Sequence, residues 1–199
     1  MYHDRRDLIG QICSRICHDL ISPLGAISNG LELLSMTGVE YGPELSLIEQ
    51  SAQNAQSRIK FLRTAYGKAG KDVSHGSAEI QTIAADYFAG GRVAFDWSCT
   101  EPVTRRDAQL IFLGLACLEN ALAYGGTISV EKQGTGWRLR CEAEKILPNR
   151  AAWAELTGTA DNAGLEPSAI QFAYLRLLTE FRTPPLVVEI SDRSITLSL

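Results

Sequence analysis

The sequence predicts an α+β protein: an N-terminal antiparallel helical hairpin that forms a dimeric four-helix bundle, followed by an α/β sandwich. Three observations carry this. Apolar residues recur at helical spacing up to about Tyr66. The stretch GKAGKDVSHGS, residues 67–77, then gathers glycine, serine and charge in the manner of a linker. Beyond it, β-rich runs alternate with helical patterns. The implied domains are residues 1–70 and 76–199.

The first helix is predicted from Asp4 to Ser35. Ile9, Ile12, Ile16, Leu20, Leu24, Ile27, Leu31 and Leu34 fall in one arc of about 120° on a helical wheel. Gly38, Gly42 and Pro43 then supply stop and restart signals. The second helix is predicted from Pro43 to Gly67, with Leu45, Ile48, Ala52, Ala55, Ile59, Leu62 and Tyr66 on a coiled-coil-like seam. So short a connection between long helices implies an antiparallel hairpin. Two helices alone cannot surround an apolar seam, so a homodimer through residues 4–66 is expected.

In the second segment, residues 77–91 and 105–124 read as helices and 92–99 as a strand. Residues 126–134 and 136–146 read as a hairpin around Gly134 and Gly136. Helices follow from Pro148 to Leu156 and from Pro167 to Phe181, and residues 185–191 and 194–199 close the domain as strands. The expectation is helices on one face of a mixed sheet.

A net charge of −4 speaks against nucleic acid, since phosphate binding needs a concentrated basic surface. No apolar run approaches the ~18 residues of a membrane span. The first residues, MYHDRRDLIGQ, are charged and do not read as a signal segment. Five cysteines without such a segment read as reduced thiols in a cytoplasmic protein.

Three of the 199 residues are histidine, and His18 has a distinctive setting in SRICHDLISPL. With His18 at 0°, the apolar arc centres at about 180°, so the ring is on the wet face. Arg15 lies at about 60°, Ser22 at about 40°, Asn29 at about 20° and Gly25 at about 340°, a polar and small-sided surroundings. Asp19 is adjacent, and a carboxylate beside an imidazole orients it and holds or accepts its proton. Pro23 lacks an N–H, so the Asp19 carbonyl loses its helical partner. A neutral imidazole is a good nucleophile near pH 7, free imidazole having a pKa of about 6.5. A hydrolytic triad is disfavoured by the lack of a G-x-S-x-G elbow. Cys13 and Cys17 lie at about 220° and 260°, away from His18, and their spacing misses the haem motif C-x-x-C-H.

His18–Leu24, HDLISPL, resembles the H-box of sensor histidine kinases, commonly H-E/D-L-x-x-P-L. The longer ICSRICHDLISPLGAISNGLELL is similar to the ChpT-type histidine phosphotransferases of alphaproteobacteria. In that family a dimerisation hairpin precedes a degenerate histidine-kinase ATPase-like (Bergerat-like) domain, and the domain order here agrees. ACLENALAY resembles the kinase N-box, with Asn120 at its second asparagine and Ala116 replacing the first. A D-x-G-x-G loop is absent from the sequence, and DNAG, Asp161–Gly164, echoes the lid without a following G-x-G. Those glycines let backbone N–H groups approach phosphates, so ATP binding is not expected.

The resemblance implies a phosphorelay shuttle in which His18 is the phosphoacceptor between receiver-domain aspartates. Asp19 orients or deprotonates the imidazole, Arg15 contacts phosphoryl oxygens or the receiver, and Ser22, Gly25 and Asn29 shape the docking face. The implied partners are a hybrid kinase like CckA and regulators like CtrA and CpdR. No cofactor of its own is expected, Mg²⁺ coming with the receivers. The alternatives are an ATP-dependent histidine autokinase and a non-enzymatic dimeric adaptor for response regulators.

Overall fold

A computed structural model of the chain describes residues 2–37, 42–68, 74–159 and 166–199, with side chains from residue 8 onward. The predicted hairpin turn, the middle of the linker and the Asp161–Gly164 echo lie outside the described residues. The chain divides into two units, Met1–Gly70 and Lys71–Leu199.

In the first unit, α1 spans Tyr2–Met36 and α2 spans Pro43–Tyr66. Pro23 sits inside α1 without ending it, because a proline removes one intrahelical bond and the flanking turns carry the helix on. Pro43 opens α2 behind Gly42, and the Gly67 N–H returns to the Arg63 carbonyl at 2.9 Å. Glu44 in the first turn and Arg63 in the last complement the helix dipole.

The two helices pack on each other. From α1 the buried residues are Gly10, Cys17 and Leu31; from α2 they are Ala52, Ile59, Phe61 and Ala65. Gly10 permits a close approach, since a Cβ there would lie 3.0 Å from the Lys68 Cα. Gln56 ties the pair together, donating from Nε2 to Ser28 Oγ at 2.7 Å and to the Leu24 carbonyl at 3.3 Å. The hairpin therefore covers only one flank of the predicted arc. Ile9, Ile12, Ile16, Leu20, Ile27 and Leu34 remain 37–53% exposed in the protomer. The physical reason is rotational: Cys17 and Leu31 turn toward α2, and the six exposed residues occupy the next sector of the wheel.

The second unit begins with a two-residue strand the sequence did not predict. β1, Ser74–His75, pairs antiparallel with β3, Val103–Thr104. Between them lie α3, Ser77–Phe88, and β2, Val93–Trp97. α4, Arg105–Glu119, starts at Thr104, whose hydroxyl accepts the Asp107 N–H at 3.0 Å. It ends five residues before the predicted stop at Tyr124. The apolar pattern continues because Ala121 and Leu122 are buried, yet they sit in a turn closed by i→i+3 bonds from Ala121 to Leu118 and from Leu122 to Glu119. Gly125 and Gly126, at φ +91° and +152°, then redirect the chain.

β4, Gly126–Gln133, and β5, Gly136–Glu142, form the expected hairpin. α5 spans Arg150–Thr157, starting two residues later than predicted because the Asn149 side chain caps it by accepting the Ala152 N–H. A 3-10 turn at Pro167–Ala169 leads into α6, Ile170–Thr179; β6, Val187–Ile190, and β7, Ser194–Ser198, follow. The five-stranded sheet has the order β2-β4-β5-β7-β6. β2 runs parallel to β4 and the other pairs are antiparallel.

Strand alternation divides the sheet into two faces. Ile128, Val130, Trp137, Leu139, Cys141, Ile195 and Leu197 are buried. On α4, Leu110 through Leu113, Leu115, Cys117 and Leu118 are buried as well. Gly114 brings the helix close, since a Cβ there would sit 2.7 Å from Leu139 Cδ2. Each fully buried aliphatic side chain contributes about 1.5–3 kcal/mol. The opposite face is polar, its rows set by the pairs Glu131–Arg138, Ser129–Arg140 and Arg140–Thr196. This is the mixed helix-and-sheet domain read from the sequence.

Candidate functional site: an exposed histidine and aspartate on the first helix

α1 holds His18, Asp19 and Arg15 together. His18 is solvent-facing, with 81% of its side chain accessible. Its Nδ1 lies 3.3 Å from Asp19 Oδ1. Arg15, one turn earlier, donates from Nε to Asp19 Oδ2 at 2.9 Å. The ionised carboxylate can only accept, so the Nδ1 edge of the neutral ring is the protonated one in this bond. In that tautomer Nε2 keeps its lone pair, on a ring open to water. The hydrogen bond from His18, followed by the charge and hydrogen bond of Arg15, holds the Asp19 carboxyl below its ordinary range.

Ser22 and Asn29 are exposed and Gly25 is half-buried. A Cβ built on Gly25 would meet nothing within 4 Å, so the space beside it is open. Among the described residues no hydrogen bond joins Ser22, Gly25 or Asn29 to the Arg15–Asp19–His18 chain; what they share with it is a helix face. The direct bond between Arg15 and Asp19 was not read from the sequence. Its signal was present in the i, i+4 spacing of opposite charges.

The cysteines of α1 belong to the packing. Cys17 is buried and Cys13 half-buried. Burial raises both thiols above their ordinary value, the neighbouring Cys17 adding to the effect on Cys13 and Arg63 opposing it on Cys17. Among the described residues, no group of three His, Cys, Asp or Glu side chains is placed to hold a metal ion. No helix of the described residues is long and apolar enough to cross a membrane.

In the second unit Asn120 is the exposed C-cap of α4. Its neighbour Glu119 accepts the Tyr87 hydroxyl at 2.7 Å. A cleft of about 450 Å³ opens nearby, lined by Tyr124, Gly125, Gly126, Ala143, Glu144 and Lys145. Its glycine amides are already committed. The Gly125 N–H donates to the Leu122 carbonyl at 2.9 Å and the Gly126 N–H to the Arg92 carbonyl at 3.2 Å. Arg138 and Arg140, on the open face of the sheet, pair with Glu131 at 3.1 Å and Glu142 at 2.6 Å.

A helical hairpin that presents a histidine to solvent, joined to a five-stranded α+β domain, defines a class. The model of the histidine phosphotransferase C-terminal domain matches residues 77–194, and the chain belongs to the histidine phosphotransferase family. It is similar to the protein phosphotransferase ChpT of Brucella abortus (strain 2308), with 33% identity over 180 residues, 87% of this chain and 86% of that protein. A solved bacterial phosphotransferase structure superposes with a TM-score of 0.66 and 27% identity, covering 94% of this chain and 92% of the other.

Proposed function

We propose that His18 is the phosphoacceptor of a two-component phosphorelay and carries a phosphoryl group between receiver-domain aspartates. One observation carries the assignment: the ring is 81% accessible while its Nδ1 edge is engaged by Asp19, which leaves Nε2 as the nucleophile. The Nε2 lone pair forms the new bond to phosphorus. The bond from phosphorus to the donor's aspartyl oxygen breaks, and the electron pair leaves with that carboxylate. The positive charge that develops on the ring lies beside the Asp19 carboxylate through Nδ1–H. Transfer onward reverses the step at a second receiver. Such chemistry is mainly positioning and charge neutralisation.

The partners in this reading are a CckA-like hybrid kinase and CtrA-like and CpdR-like regulators, with Mg²⁺ brought by their receiver domains. Ser22, Gly25 and Asn29 form the face on which a receiver docks. The exposed stripe from Ile9 to Leu34 supports a homodimer, because a second copy removes it from water. The missing D-x-G-x-G loop and lid glycines of the sequence support a protein that takes phosphate from a receiver and not from ATP.

The test is to mix the protein with a phosphorylated receiver domain. Acid-labile, base-stable label is expected on the wild type and absent from His18→Ala. Labelling from ATP without a receiver would favour an autokinase. Full relay by His18→Ala would favour an adaptor.

A further inference from the structure

We propose that Arg15 is a positioning residue: by holding Asp19 Oδ2 it keeps Oδ1 at the Nδ1 edge of His18 and so fixes the tautomer in which Nε2 is unprotonated. This rests on His18 as phosphoacceptor and deepens it. It gives Arg15 a task inside the resting protein, where the sequence suggested a direct contact with phosphoryl oxygens or with the receiver.

His18 and Asp19 are successive residues, so their side chains leave the helix about 100° apart and the backbone alone does not aim the carboxylate at the ring. Arg15 is the i−4 neighbour of Asp19 and stacks on the same ridge. Its 2.9 Å contact has the length of a charge-assisted hydrogen bond, whereas the 3.3 Å contact from His18 is long for an N–H···O bond. The stronger bond places the carboxylate, and the weaker one senses where it has been placed.

The order of charges points the same way. On a helix, an acidic residue preceding a basic one by four positions is the favoured arrangement, and here the basic residue comes first. Helix stability alone is therefore a poor reason for the pair. A guanidinium also fits the task, since its planar fork commits one of five N–H donors to the carboxylate and holds it in a fixed direction.

The experiment uses the full chain labelled with ¹⁵N-histidine, at about pH 8.5, where free imidazole is neutral. The His18 resonances, assigned by their loss in His18→Ala, report the tautomer. Transfer from a phosphorylated receiver is measured in parallel for wild type, Arg15→Met and Arg15→Lys. The wild type is expected to hold its proton on Nδ1. Arg15→Met should shift the ratio of the two tautomers roughly threefold toward Nε2–H, the scale of one exposed ion pair. It should slow the transfer step by a similar factor at an unchanged half-saturating receiver concentration, and Arg15→Lys should restore part of both. An unchanged tautomer in Arg15→Met overturns the inference, as does a raised half-saturating concentration at an unchanged rate. The tautomer measurement needs no phosphate, so it decides the role of Arg15 even if label on His18→Ala were to sink the phosphoacceptor reading.

Discussion

Gln56 of α2 donates across the hairpin to the hydroxyl of Ser28 on α1 at 2.7 Å. A second contact from the same nitrogen reaches the Leu24 carbonyl. A net hydrogen bond in a part-buried site stabilises by about 1 kcal/mol. Gln56→Leu is therefore expected to lower the stability of the hairpin by about that amount, read as a shifted midpoint in urea-induced loss of helix signal. An unmoved midpoint would mean the tie carries no net energy.

The dimer is tested by charge on the exposed stripe. Ile16 and Ile27 are both half-exposed in the protomer, so glutamate at either leaves the contacts within one hairpin in place. In a dimer the same charges would be desolvated without partners. Ile16→Glu combined with Ile27→Glu should halve the mass measured by sedimentation equilibrium. A wild type that already sediments as a monomer would defeat the dimer directly.

Gly25 separates stability from docking. It lies inside α1, and a Cβ there meets open space. Replacing a helix-interior glycine with alanine gains about 1 kcal/mol. Gly25→Ala is expected to raise the thermal midpoint, while Gly25→Leu should fold equally well and raise the half-saturating receiver concentration several-fold. Normal receiver kinetics in Gly25→Leu would take Gly25 off the docking face.

Asp19 should titrate below the usual carboxylate value of about 3.9. Its proton affinity is lower in the folded than in the unfolded chain, so the support it gives is present above about pH 4 and is lost as pH falls through the folded value. A ¹³C carboxyl titration checks this. The midpoint should rise in both His18→Ala and Arg15→Met, because each removes a group that holds the carboxyl down. An ordinary midpoint in the wild type would remove the ion pair from solution.

Cys141 gives the opposite sign at the alkaline end. Burial pushes its thiol up to about 11 and raises that of Cys117 as well. The unfolded chain releases these protons first, so the contribution is whole below about pH 9 and is lost as pH rises toward 11. Thermal midpoints should fall over that interval, and less steeply in Cys141→Val. Alkylation of the folded protein at neutral pH should reach Cys13 before the four buried thiols.

Much of this architecture was legible because one face of each element is greasy and the other is not. The 3.6-residue period of α1 and α2 gave both helices and put His18 opposite the apolar arc, where the ring is exposed. The glycines at 134 and 136 marked the β4–β5 turn. The errors fell where tertiary burial mimics a helix: Ala121 and Leu122 are core residues in a turn, so the apolar pattern overran the end of α4. The β1–β3 pair escaped notice because two residues carry no period. Periodicity also could not divide the α1 arc between the flank that meets α2 and the flank left bare, since that needs the crossing of two helices. At the site, the helix face of Arg15, His18 and Asp19 was readable from spacing; the i, i+4 spacing also allows the bond joining Arg15 to the carboxylate, but whether it forms depends on side-chain rotamers.

The strand at the rim of the sheet has a consequence of its own. β6 hydrogen-bonds to β7 on one side, and Val187 and Ile190 are about half-exposed. An uncovered ribbon of this kind is a template for fibrillar stacking between molecules. Glu189 is the single charge in that strand, and a carboxylate there sets neighbouring ribbons against each other by repulsion. One acidic side chain thus stands guard over colloidal behaviour, remote in sequence from the imidazole on the first helix, and its loss would show as turbidity before it showed as unfolding.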